Sequence, residues 1–139
     1  VFPVIDCVGK YGDTCQGAGT PMTSPMPSWR HKFRMTWDTP LEGLQASVDW
    51  RYLGALNVDT GATGTADSRL PAQNYFDLSG SYTWRDNYTF RVGINNIFDK
   101  DPPIIGSGER PSVVGNGNTF PQYYDALGRY VFMGVTAKF

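Results

Sequence analysis

The sequence predicts an all-β fold, an antiparallel transmembrane β-barrel segment of about five strands with long loops at one end and short turns at the other. Three observations carry this. Five runs of about ten residues alternate strictly between apolar and polar side chains, and a tilted strand of that length spans a bilayer. The runs are joined alternately by short turns and by loops of roughly twenty residues or more, an asymmetry typical of such barrels and unusual in a soluble sandwich. Aromatic residues make up 14% and charged residues only 18%, with Gly 16 and Pro 10, a balance that favours strands and turns over exposed helices.

The first run covers Arg30 to Asp38, with His31, Phe33, Met35 and Trp37 on one face and Lys32, Arg34, Thr36 and Asp38 on the other. Pro40-Leu41-Glu42-Gly43 turns the chain, and Leu44, Ala46, Val48, Trp50 and Tyr52 then alternate with Gln45, Ser47, Asp49 and Arg51. A Gly/Thr/Ala/Asp loop over about 55–72 leads to the third run, where Phe76, Leu78, Gly80, Tyr82 and Trp84 oppose Asp77, Ser79, Ser81 and Thr83. Arg85-Asp86-Asn87 is a tight turn into Tyr88, Phe90, Val92 and Ile94, which alternate with Thr89, Arg91, Gly93 and Asn95. A proline-bearing loop over 99–127 precedes the last run, 128–139, in which Val131, Met133, Val135, Ala137 and Phe139 share the apolar face.

Aromatic residues fall at both ends of that face. Trp37, Trp84, Tyr88 and Phe139 lie at the short-turn end and Trp29, Trp50, Tyr52 and Phe76 toward the long loops, as two interfacial girdles require. The other face carries Arg34, Asp49, Arg51, Asp77, Arg91 and Lys138. That is too much charge for a dry core, whereas a water-filled lumen hydrates it.

Other chemistries find little support. Lys+Arg 12 against Asp+Glu 13 leaves no basic field for nucleic acid. No run of eighteen apolar residues suggests a membrane helix, and the N-terminus lacks the pattern of a signal peptide. Asp86, Asp99, Asp101 and Asp125 do not follow a calcium-loop spacing and read as solvated carboxylates, so no metal site is expected. Gly61 and Gly64, like Gly106 and Gly108, precede no helical pattern and read as loop rather than phosphate cradle. His31 has no nucleophile in a recognisable motif near it, so no catalytic residue, no cofactor and no enzymatic activity are expected.

Cys7 and Cys15 lie in a Gly/Asp/Thr-rich stretch, Asp6-Cys7-Val8-Gly9-Lys10-Tyr11-Gly12-Asp13-Thr14-Cys15. A short-range disulfide is the natural reading, with free thiols as the alternative. Two thiols and one remote histidine do not complete a zinc site. If the bond forms, the compartment is oxidising.

Five strands cannot close a bacterial barrel, which needs an even number and at least eight. The sequence therefore predicts either a longer polypeptide or an oligomer, because open edges in lipid leave unpaired backbone groups that each cost several kcal/mol.

Two stretches carry a family likeness. Phe90-Arg91-Val92-Gly93-Ile94-Asn95-Asn96-Ile97-Phe98-Asp99-Lys100-Asp101-Pro102-Pro103 resembles the penultimate-strand signature of TonB-dependent outer-membrane receptors, with Ile97 where Leu is usual. Tyr124-Asp125-Ala126-Leu127-Gly128-Arg129-Tyr130 and the strand after it resemble the closing motif of the same family. Pro27-Ser28-Trp29-Arg30, Trp50-Arg51-Tyr52-Leu53-Gly54 and Pro71-Ala72-Gln73-Asn74-Tyr75-Phe76-Asp77-Leu78 resemble earlier strands, so the likeness covers about 27–139.

The resemblance implies that 30–139 are the last five of roughly twenty-two strands, the C-terminal barrel part of a receptor in the bacterial outer membrane. It places 1–29, with the cysteines, 55–72 and 99–127 at the cell surface, and the turns 40–43 and 85–87 and the C-terminus in the periplasm. It implies active uptake of a scarce nutrient, an iron-siderophore, cobalamin or a carbohydrate, in which this stretch supplies wall and loops and does not transport alone. The implied partners are outer-membrane lipid, the N-terminal plug and remaining barrel strands, TonB acting through the plug, and the barrel assembly machinery, which would read Phe139 as a terminal signal. Arg34, Asp49, Arg51, Asp77 and Arg91 would be the lumen-facing contacts of the plug, against the simpler expectation that they pair with one another across strands. A small oligomeric outer-membrane barrel or surface adhesin is the alternative function, and a soluble secreted sandwich a third.

Overall fold

The computed structural model describes residues 6–12, 25–59, 68–105 and 119–139. Among them are eight strands and no helix: β1 Lys10–Tyr11, β2 Arg30–Asp38, β3 Leu44–Leu53, β4 Leu56–Val58, β5 Arg69–Leu70, β6 Gln73–Trp84, β7 Tyr88–Asn95 and β8 Tyr130–Ala137. The chain divides into two compact units, one of His31–Tyr52, Asn74–Lys100 and Leu127–Phe139, the other of Val1–Arg30, Leu53–Gln73 and Asp101–Ala126.

The five long strands form one sheet in the order β2-β3-β6-β7-β8, so every strand lies beside its neighbour in the alternating pattern of the sequence. β6 and β7 are antiparallel, with Leu78 opposite Ile94 and Trp84 opposite Tyr88. β7 and β8 are antiparallel, from Tyr88 opposite Ala137 to Asn95 opposite Tyr130. Register is set by the short turns. Arg85 and Asp86 both take positive φ, 51° and 57°, and Asn87 N–H closes on Trp84 O, the geometry of a type I′ hairpin turn whose twist matches the strands. Between β2 and β3, Leu44 N–H bonds Leu41 O, and the Thr39 hydroxyl donates to Leu44 O at 2.8 Å. Gly43 stands there at φ +79°, where a Cβ would collide with the Thr83 carbonyl of β6.

Alternation gives this sheet two unlike faces. On the apolar face Phe33 is 57% exposed, Phe90 44% and Met133 83%. Water would not be tolerated over so large an apolar surface, whereas hydrocarbon costs nothing there. At one end of the face His31 stacks on Tyr52 and meets Trp50 edge-on, Trp50 stacks on Phe76, and Phe76 meets Phe98 edge-on. At the other end Trp84 packs against Tyr88, with the Arg85 guanidinium over the indole at 4.5 Å. These are the two aromatic groups that girdle spacing predicts.

The second unit places short strands within 1–29 and 55–72, stretches that show no strand-length alternation in the sequence. β1, β4 and β5 make a three-stranded sheet in the order β1-β4-β5. β1 runs parallel to β4, with Tyr11 opposite Val58, and β4 antiparallel to β5, with Leu56 opposite Leu70. Asn57 N–H donates to Gly9 O and Asp59 N–H to Tyr11 O, which ties the early segment to the middle one. Tyr11, Leu56, Val58, Leu70, Ile105, Phe120 and Tyr124 are all buried, and Tyr11 meets Phe120 edge to face. The apolar side chains of three segments distant in sequence thus bury one another. Each strand is only two or three residues long, too short to show a period.

Candidate functional site on the polar face of the five-stranded sheet

The strand alternation that turns the apolar residues one way turns the charged residues the other, and there they are matched in pairs. Arg34 of β2 donates through Nε and Nη2 to the two carboxylate oxygens of Asp49 on β3, each at 2.6 Å. Lys32 adds a longer contact to the same carboxylate at 3.9 Å. Arg51 of β3 grips Asp77 of β6 in the same forked manner, at 2.8 and 3.0 Å, while its guanidinium lies over the ring of the buried Tyr75. Forked guanidinium–carboxylate pairs combine charge with fixed direction, so they hold strand registry as well as neutralise the wall. Between and beyond them the face is hydroxylic, with Ser47 and Ser79 sharing a hydrogen bond at 2.7 Å across β3 and β6.

Arg91 is different. It sits on β7 with Ser81 opposite on β6 and Gly134 opposite on β8, and among the described residues it has no hydrogen-bond or ion-pair partner. It lines a concavity of about 300 Å³ with Gln45, Ser47, Ser79, Ser81 and Phe132. Phe132 lies over Gly93, where any Cβ would strike its ring, so the glycine fixes where the aromatic wall stands.

The segment after β7 is held by side chains that sequence reasoning flagged only as a motif. Asn96 is buried at φ 52°; its amide accepts from Lys100 N–H at 2.9 Å and donates to Lys100 O at 3.0 Å, which closes the turn on itself. Its own N–H donates to Asp77 at 2.9 Å, so the carboxylate that pairs Arg51 also anchors this turn. Asp99 accepts from Arg129 N–H at 2.8 Å, and Gly128 before it stands at φ +68° with no room for a side chain beside the carboxylate. The two stretches that carry the family likeness are therefore one structural device, joined by Asp99 and Arg129 at the start of β8. The Asn-Asn and Asp-Lys pairs were visible in the sequence, whereas the bond between residues 99 and 129 had no local signal.

A scan of protein-family models matches residues 7–97 to the family described as TonB dependent receptor-like, beta-barrel. The chain belongs to that family. The match runs from the first described segment through β7, so it includes strands β1, β4 and β5 as well as four of the five long strands. No curated protein and no solved structure matches the chain. TonB-dependent receptors are outer-membrane proteins that act in concert with a plug and TonB, and they form a receptor and transporter family rather than an enzyme family.

Within this TonB-dependent receptor chain, Arg34, Asp49, Arg51, Asp77 and Arg91 share the polar face, and the structure joins the first four in two pairs and leaves the fifth apart. Phe139 lies beyond the end of β8 and is fully exposed. Cys7 is not a free thiol, while Cys15 lies outside the described residues, as do Gly61, Gly64, Gly106 and Gly108. Among the described residues no three metal-ligating side chains come together.

Proposed function

We propose that this chain forms the C-terminal wall and surface loops of a TonB-dependent receptor that takes up a scarce nutrient, an iron-siderophore, cobalamin or a carbohydrate, and that it transports only together with a plug and further strands. The observation that carries the reading is the sheet itself: an apolar face too exposed for water lies back to back with a face of paired charges and hydroxyls. Lipid outside and a wet lumen inside satisfy both faces at once. In that orientation the turns 40–43 and 85–87 and Phe139 are periplasmic, and 1–29, 55–72 and 99–127 are at the cell surface, where a bond between Cys7 and Cys15 is chemically allowed.

Arg34, Asp49, Arg51, Asp77 and Arg91 would face the plug, and Phe139 would serve as the terminal aromatic read during barrel assembly. The family context supports both roles. The test is uptake: cells lacking the gene, and the same cells with TonB disabled, are supplied with labelled ferric chelates, cobalamin and oligosaccharides under starvation. Loss of one cargo in both strains is the expected result. Undiminished uptake of all three classes, with the protein recovered from the soluble fraction, would sink the proposal.

A further inference from the structure

Charge accounting on the polar face singles out one group. Asp49 is claimed by Arg34 with Lys32 close by, and Asp77 by Arg51, yet Arg91 keeps its full charge unanswered among the described residues. Its surroundings are open rather than crowded. Gly134 faces it from β8, and a Cβ placed there would meet no atom within 4 Å.

The cavity chemistry is equally specific. Of the residues lining the concavity, Arg91 is the only charged one; the others offer the Ser47, Ser79 and Ser81 hydroxyls, the Gln45 amide and the Phe132 ring, with Gly80 and Val92 completing the lining. A single guanidinium matches a single negative charge, and its planar fork matches the two oxygens of a carboxylate. A dianionic phosphate would call for a second cation, which the cavity does not supply. The space of about 300 Å³ equals about ten water volumes and lies at the small end of ligand pockets. That is room for a carboxylate with a compact body that can lie on Phe132.

Resting on the reading of this chain as receptor wall, we infer that the Arg91 concavity is a carboxylate-recognition site on the lumenal wall. The carboxylate can come from an Asp or Glu of the plug or from a small solute. Either source gives a forked ion pair on Arg91, with serine hydroxyls as further donors.

The test uses the complete receptor, purified in detergent, as wild type, Arg91→Gln and Arg91→Lys, each checked for heat-modifiable migration. Binding of ¹³C-benzoate and of neutral benzamide is followed by NMR, and release of the plug by limited proteolysis. Wild-type binding of benzoate but not benzamide, weakened roughly tenfold or more in Arg91→Gln and partly kept in Arg91→Lys, supports the site with a solute as its source. Faster plug cleavage in Arg91→Gln, with no benzoate bound by wild type, supports the site with the plug as its source. Equal binding or no binding of the two probes by wild type, together with unchanged plug cleavage in both variants, overturns the inference while leaving the receptor reading intact. Absence of any heat-modifiable barrel in wild type overturns the receptor reading, and the inference with it.

Discussion

The two compact units dispose of their apolar side chains in opposite ways. In the unit built from Val1–Arg30, Leu53–Gln73 and Asp101–Ala126, Leu56, Leu70, Ile105 and Phe120 are almost wholly covered by protein. In the five-stranded unit, Phe33, Trp37, Phe90, Val92 and Met133 are all exposed, while Asp49 is buried. The same residue types thus serve two solvents. One unit hides hydrocarbon from water by folding segments against one another; the other presents hydrocarbon outward and keeps its polar groups on the opposite face.

This contrast can be broken by substitutions whose cost depends on which solvent each unit meets. The largest effect is expected at Phe120, where truncation to Ala empties a closed site and costs about 3–5 kcal/mol. If this unit faces the cell surface, its proteolysis on intact cells should accelerate, while heat-modifiable migration of the barrel persists; loss of both together would show that the units are not energetically separate. Next comes Val92→Arg in the middle of β7, expected to destabilise by about 2–4 kcal/mol if that face meets lipid. Urea-dependent folding into lipid vesicles measures it, and an unchanged midpoint would mean that the face is not in hydrocarbon.

A smaller loss, about 1–3 kcal/mol, is expected for Asp77→Ala, which removes an acceptor shared by the Arg51 guanidinium and the Asn96 N–H. It should show as a lower temperature for loss of the heat-modifiable form, and Asp77→Asn should recover part of the loss. Least of all should Lys32→Ala matter. Its ammonium is 3.9 Å from Asp49 and more than half exposed, so a shift beyond about 0.5 kcal/mol in the same thermal measurement would show that the wall is drier than its hydroxyl-rich lining suggests.

The long strands were legible because each repeats one simple instruction eight to twelve times in succession. Tyr88–Asn95 alternates without a break, and Arg85-Asp86-Asn87 contains residues that tolerate positive φ, so both strand and turn follow from neighbours in the chain. The facing pairs Arg34–Asp49 and Arg51–Asp77 were legible as a shared face, but not as partners, since partner choice depends on register across strands. Arg91 looked like the other four until its neighbours were known.

By itself, then, the sequence determined the fold class, the five spanning strands, the separation of apolar from polar faces, the aromatic groups at both ends and the family likeness of the two closing motifs, because all of these are written in local period and local residue type. Only the tertiary structure decided that β1 lies parallel to β4 in a second sheet, that Asp99 holds Arg129, and that one arginine of the polar face stands over an open cavity. These depend on contacts between segments tens of residues apart, where two or three residues of strand carry no period and a charge gains or lacks a partner only when the chain has folded.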